Sequence, residues 1–119
     1  MISINNNIIT MNRGDTFSMP LRINVGTKYA PEFYTLTKED TIYFALEEYN
    51  QPFEFALIRK TFDVNDLVDD NVVITLSPED TEFLLPGEYY YEIKLKHTNQ
   101  DKSEVIDTIV PRRKFVIIE

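Results

Sequence analysis

Gly87-Glu88-Tyr89-Tyr90-Tyr91-Glu92-Ile93-Lys94-Leu95-Lys96 decides the fold class. Tyr89, Tyr91, Ile93 and Leu95 fall at every second position, with Glu88, Tyr90, Glu92, Lys94 and Lys96 between them. Successive side chains of a β-strand point to opposite faces, so this spacing predicts a long strand with one buried and one wetted face. Asn99–Ser103 then reads as a chain reversal, and Val105–Val110 as the returning partner of a hairpin. Pro111 predicts an interruption with Arg112 and Arg113 in the last turn, before Lys114–Ile118 closes the chain as a final strand.

Working outward, Phe17, Met19, Leu21, Ile23 and Val25 alternate with polar residues and Pro20, which predicts a second half-buried strand. Pro20 has no backbone donor, so that strand belongs at a sheet edge or carries a bulge. Asn5-Asn6-Asn7 marks a turn between Ile2–Ile4 and Ile8–Met11. Thr41–Glu47 has β-formers on both faces and reads as a central strand, and Glu48–Pro52 as a hairpin loop into Phe53–Phe62. Asp63–Asn71 is an acidic, turn-rich loop and Val72–Leu76 a short buried strand. Ser77-Pro78-Glu79-Asp80 carries a cap, a first-position proline and two carboxylates at the positive end of the dipole, so a helical turn begins there. It stops at Pro86-Gly87, leaving Phe83 and Leu84 to plug one end of the fold.

The 119 residues form one domain, 1–119, with no internal repeat or low-complexity linker. A chain of this length buries roughly two-thirds of its extended surface, enough for a core without a metal or disulfide. With no cysteine, disulfides, thiolate nucleophiles and Cys-based zinc sites are excluded. The net charge of −8 repels phosphate backbones, which argues against non-specific nucleic-acid binding. The N-terminus lacks the layout of a signal peptide, and no apolar run approaches the ~20 residues of a membrane helix. The expectation is therefore synthesis in a cytoplasm, without membrane contact. Short strands at close spacing with one capping turn predict an all-β, antiparallel β-sandwich of seven to eight strands, with a closed barrel as the fallback.

Candidate chemistry is sparse. His97 is the only histidine and ends its strand without a nucleophile beside it in sequence, which favours a ring satisfied by backbone or water over a general base. Glu47/Glu48, Asp69/Asp70 and Glu79/Asp80 read as solvated charge, since neighbours on a strand cannot share a site and Glu79/Asp80 starts a helix. Residues 63–74 lack the glycine and glutamate of an EF-hand, so a flexible acidic loop is expected over a calcium site. Arg13-Gly14-Asp15 matches an integrin-recognised tripeptide but is explained by a turn. No catalytic, cofactor-binding or metal residue is expected. Rings are the surplus: Tyr29, Phe33, Tyr34, Tyr49, Phe53 and Tyr90 exceed what a small core must hold, and surface rings mark contact patches.

Val73-Ile74-Thr75-Leu76-Ser77-Pro78-Glu79-Asp80-Thr81, then Leu85-Pro86-Gly87-Glu88-Tyr89-Tyr90-Tyr91-Glu92-Ile93 and the closing Lys114–Glu119 resemble the immunoglobulin-like N-terminal domain of phage baseplate upper proteins and related phage and prophage virion domains. Gly14–Ile23 and Thr41–Leu46 agree more loosely. The resemblance implies an immunoglobulin-like sandwich. It also implies a non-catalytic assembly component of a virion (baseplate, tail, neck or head) that contacts sister subunits or neighbouring structural proteins. Expected contacts are Tyr29, Phe33 and Tyr34 in the long connection 26–40, with Arg112 and Arg113. Two other readings stand beside it. One is a carbohydrate-binding module using Tyr and Phe platforms, against which the lack of Trp weighs; the other is a small acidic inhibitor of a host enzyme.

Overall fold

A computed structural model of the chain describes residues 2–5, 8–23, 29–30, 32–69 and 71–119. Among them are nine strands: β1 (Ile2–Asn5), β2 (Ile8–Asn12), β3 (Phe17–Leu21), β4 (Asp40–Glu47), β5 (Ile58–Phe62), β6 (Leu67–Val68), β7 (Asn71–Leu76), β8 (Gly87–Thr98) and β9 (Glu104–Ile118). One sheet has the order β1-β2-β9-β8-β4-β5 and the other β3-β7-β6. The protein is an all-β sandwich. The order β9-β8-β4-β5 facing β3-β7-β6 matches G-F-C-C′ over B-E-D of the immunoglobulin fold. The expected turn between Ile4 and Ile8 includes Asn6 and Asn7, which lie outside the described residues, and so does Val25. The strands flanking that turn pair antiparallel, Ile4 opposite Ile9.

Alternation explains the core. Phe17, Ile74 and Leu76 from the smaller sheet meet Ile42, Phe44, Leu46, Tyr91, Ile93 and Phe115 from the larger, all buried. Each such side chain contributes about 1.5–3 kcal/mol on leaving water. Four rings run between and along the sheets. Phe17 packs edge-on to Phe115 at 5.7 Å between centroids, Phe115 edge-on to Tyr91 at 6.1 Å, and Tyr91 stacks on Phe44 at 6.1 Å. In antibody domains an inter-sheet disulfide and a tryptophan fill this region. Here a chain without cysteine or tryptophan fills it with aromatic contacts.

The corner entering β8 repeats a second device of the fold. Tyr89 donates its phenolic hydroxyl to the Leu85 carbonyl at 2.6 Å, four residues upstream, as a tyrosine corner does. Gly87 sits at φ 155° in this corner, a conformation that L side chains rarely adopt. Before it, α1 (Pro78–Thr81) is capped as expected: the Asp80 carboxylate accepts from the Ser77 backbone N–H at 2.7 Å and from its hydroxyl at 3.0 Å.

Several expectations need correction. Pro111 does not end a strand; β9 runs unbroken for 15 residues. Register shifts opposite Tyr91–Lys94 take up extra residues of β9 at and beside Pro111, where a missing donor is tolerated. Arg112 and Arg113 therefore lie within a strand, not a turn. Of the expected plug, Leu84 is buried but Phe83 is exposed. The residues after Pro52 form a 3-10 turn over Phe53–Phe55 before β5 starts at Ile58. One pairing is parallel, β2 with β9. Both strands run toward the end where the chain turns into the other sheet, and there the Arg13 N–H donates to the Ile118 carbonyl at 2.7 Å. Pro20 does sit on an edge strand, since β3 pairs only with β7. β4 is interior, between β8 and β5.

Candidate functional site

The central strand β4 carries a buried carboxylate at each end, and each one anchors a ring-bearing loop. Asp40, at the start, is 1% exposed. It accepts hydrogen bonds from the Tyr34 hydroxyl at 2.6 Å, the Thr37 N–H at 2.8 Å, the Thr37 hydroxyl at 3.2 Å and His97 Nδ1 at 2.6 Å. Burial alone would raise this carboxyl, but the donors outweigh it and hold Asp40 below the usual carboxylate range. Tyr34 moves the other way: burial, then its bond to the charged Asp40, pushes the phenol up to about 12. Residues 34–40 are thus fastened to the end of β8.

This arrangement changes the reading of two expected residues. His97 is satisfied by a carboxylate rather than by backbone or water, because register places Asp40 opposite it. With Asp40 ionised, Nδ1 carries the proton. The pair resembles two members of a hydrolytic triad, but the hydroxyls of Tyr34 and Thr37 that share this carboxylate both donate to Asp40. Tyr34 is a structural anchor. Phe33 keeps 45% exposure, with the Arg22 guanidinium 4.0 Å above its ring, and Tyr29 is 92% exposed.

At the far end, Glu47 is also 1% exposed, which corrects its reading as solvated charge. Its Oε2 accepts from Arg112 at 3.0 Å. The same guanidinium donates to the Glu48 carbonyl at 2.7 Å and the Gln51 carbonyl at 2.8 Å, and lies 5.3 Å from the centroid of Tyr90. Glu47 Oε1 is buried and meets no donor. Burial, then the Glu92 carboxylate beside it, pushes Glu47 up to about 7 against the pull of Arg112 and Lys94. A proton on Oε1 supplies the donor that Glu92 can accept. Arg112 thereby fastens the loop after β4, from which Tyr49 and Phe55 project, each at least 70% exposed. Arg113 stands opposite Tyr91 on the inner face of β9, half-buried, with its Nε unpartnered.

Other motifs make local structural contacts. Asp80 is ion-paired with Lys60 at 2.9 Å as well as capping α1, and its carboxyl lies below the usual range, where donors from Lys60 and Ser77 outweigh burial. In the acidic loop, Asp63 and Asp66 cap each other's backbone around a 3-10 turn over Val64–Asp66. No cluster of metal-ligating side chains occurs among the described residues. Gly14 occupies φ 81° in a turn, with its N–H donating to the Thr81 hydroxyl at 3.1 Å, and Arg13 pairs with Glu119.

Sequence reasoning had no handle on the Asp40–His97 and Glu47–Arg112 pairs, because their partners lie 57 and more residues apart and meet only through strand register. A signal did exist for the tyrosine corner, in a tyrosine just after Pro86-Gly87 at the head of a strand. No family model, curated protein or solved structure matches this chain.

Proposed function

We propose that this domain is a non-catalytic structural component of a phage or prophage particle that joins its neighbours through protein–protein contacts. The observation that carries the reading is the group of large apolar side chains held out from loops: Tyr29, Tyr49, Phe55, Phe83 and Leu85 are all more than 60% exposed. Scattered single rings are ordinary, but rings on loops pinned by buried carboxylates are presented in a fixed conformation, which lowers the ordering cost of binding. Residues 34–37, next to Phe33, and residues 48–51, which include Tyr49, are both pinned in this way. The segments whose sequence resembles phage virion domains form β7, α1, the tyrosine corner, β8 and the end of β9. A sugar platform is less well supported, since cations cover the candidate rings: Arg22 over Phe33, Arg59 and Lys94 over Phe53, and Arg112 over Tyr90.

Mass spectrometry of purified particles from a host carrying the gene tests the proposal. The chain is expected in the particle fraction in fixed ratio to other structural proteins, and lost when Tyr49 and Phe55 are both replaced by Ser. Its absence from particles, with no retention of adjacent gene products by the purified protein, would refute the reading.

A further inference from the structure

The outer face of the larger sheet holds a basic depression in an acidic protein. Its lining, around a volume of about 300 Å³, sets the cations of Arg59, Lys94 and Lys96 against the carboxylates of Glu54 and Glu104, with Tyr43, Phe53 and Ile106 between them, so cations exceed acids by one. The Arg59 guanidinium lies 4.7 Å and the Lys94 ammonium 4.6 Å from the centroid of the same Phe53 ring, which stands edge-on to Tyr43. Lys96 lies over Tyr43 at 5.7 Å and pairs with Glu104 at 3.7 Å. Arg59 and Lys94 make no ion pair among the described residues. Two cations on one ring repel each other unless an anion joins them, while the chain as a whole is charged −8. Ile106, 58% exposed on the hairpin strand, adds an apolar side chain to the lining.

The complement lies on the same chain in the other layer. The crossing from β5 into β6 carries Asp63 and Asp66, and Asp69 follows β6 directly after Val68, an exposed apolar side chain. We infer that the acidic crossing of one copy docks in the basic depression of the next, with Val68 against Ile106 and the aspartates facing Arg59 and Lys94. Different surfaces meet in such a contact, so it is heterologous: repeated copies form a ring if the rotation closes and a filament if it does not. The inference deepens the assembly reading and rests on it, naming a sister copy as one partner. Salt weakens the contact, because the pairs are near the surface and the screening length falls to about 10 Å at 0.1 M.

The test is sedimentation equilibrium of the purified full chain across concentration at low and at 0.5 M-scale salt. The wild type is expected to gain mass with concentration at low salt and to revert toward monomer at high salt. R59E/K94E and D66K/D69K, all exposed or rim positions, are each expected to associate about tenfold more weakly or less. Mixing the two variants restores association, because the native aspartates of the first meet the native cations of the second. Circular dichroism of each variant confirms that the fold is kept. A wild type monomeric at every concentration overturns the inference, as does a mixture that fails to associate. Polyglutamate binding to a strictly monomeric wild type also overturns it, in favour of a foreign acidic partner. A monomer still incorporated into particles defeats only this inference, whereas a self-associating chain absent from particles defeats only the assembly reading.

Discussion

Replacing Glu47 with Gln should stabilise the protein above neutral pH. Glu47 has one oxygen held by Arg112 and the other buried without a donor, and its carboxyl is pushed from 4.5 up to about 7 by burial and by Glu92. Between those values the folded chain keeps a proton that the unfolded chain has released. The native state then binds more protons, so stability falls as pH rises through this window and levels off above it. At about 1.4 kcal/mol per pH unit, the loss across the window is about 3 kcal/mol. A glutamine offers the same shape with an oxygen for Arg112 and an N–H for Glu92, and it does not titrate. E47Q should therefore match the wild type within about 1 kcal/mol at pH 4.5 and exceed it by about 1–3 kcal/mol at pH 8. Urea unfolding followed by circular dichroism at pH 4.5, 6 and 8 measures both, and titrating groups that do not interact with Glu47 cancel between the two proteins. If the pH profiles run parallel, or E47Q is the less stable protein at pH 8, Glu47 is an ordinary ionised partner of Arg112 and the reasoning fails.

Two further substitutions probe the frame. Asp40→Asn removes a carboxylate lying below the usual range, whose stabilisation is present above its unfolded value near 3.8 and lost as pH falls through the lower folded value. It should cost about 3 kcal/mol near neutral pH by leaving donors of Tyr34, Thr37 and His97 unmatched, and thermal melts from pH 2 to 7 should show a shallower acid limb than in the wild type. Tyr89→Phe deletes only the corner hydrogen bond to Leu85, and should lower the urea midpoint by the equivalent of about 1 kcal/mol with no change in slope.

How far the fold was legible depended on whether a segment has one wet face. Phe17–Leu21 and Tyr89–Leu95 do, so their alternation states both strand and inward face. β9 does not: its first eight residues are bowed by register shifts and flanked by solvent, and Ile109 and Val110 are only half-buried. A proline in that stretch looks like a break when it is in fact accommodated at a bulge. Glu47 misleads for a different reason. Charge normally signals solvent, and only the register of β4 against β8, together with Arg112 from β9, places this carboxylate under cover. Tyr34 was expected at a partner's surface, yet its hydroxyl points to Asp40; aromatic content shows that rings are in surplus, not which of them the fold consumes.

The two carboxylates of β4 explain how a small sandwich without disulfides keeps its loops in place. Asp40 fastens residues 34–37 and Glu47, through Arg112, fastens residues 48–51, so both ends of the central strand are tied to the loops that leave it. Their electrostatics are opposed: donors hold Asp40 charged, while burial and Glu92 favour a proton on Glu47. Acid below the Asp40 value releases the first loop, and alkali above about 7 burdens the second with a buried charge. The Asp40 tie is therefore lost in acid, whereas Arg112 is drawn more strongly to Glu47 once that carboxyl ionises, and the cost above about 7 lies in burial and in repulsion by Glu92. Partner binding through Phe33 should weaken in acid, while binding through Tyr49 or Phe55, whose loop Arg112 holds by the backbone carbonyls of Glu48 and Gln51, should keep its strength from about pH 5 to about pH 8. That difference follows from which group anchors which loop, a titrating carboxylate for the first and a guanidinium for the second, and it separates the two loops experimentally without any substitution in either.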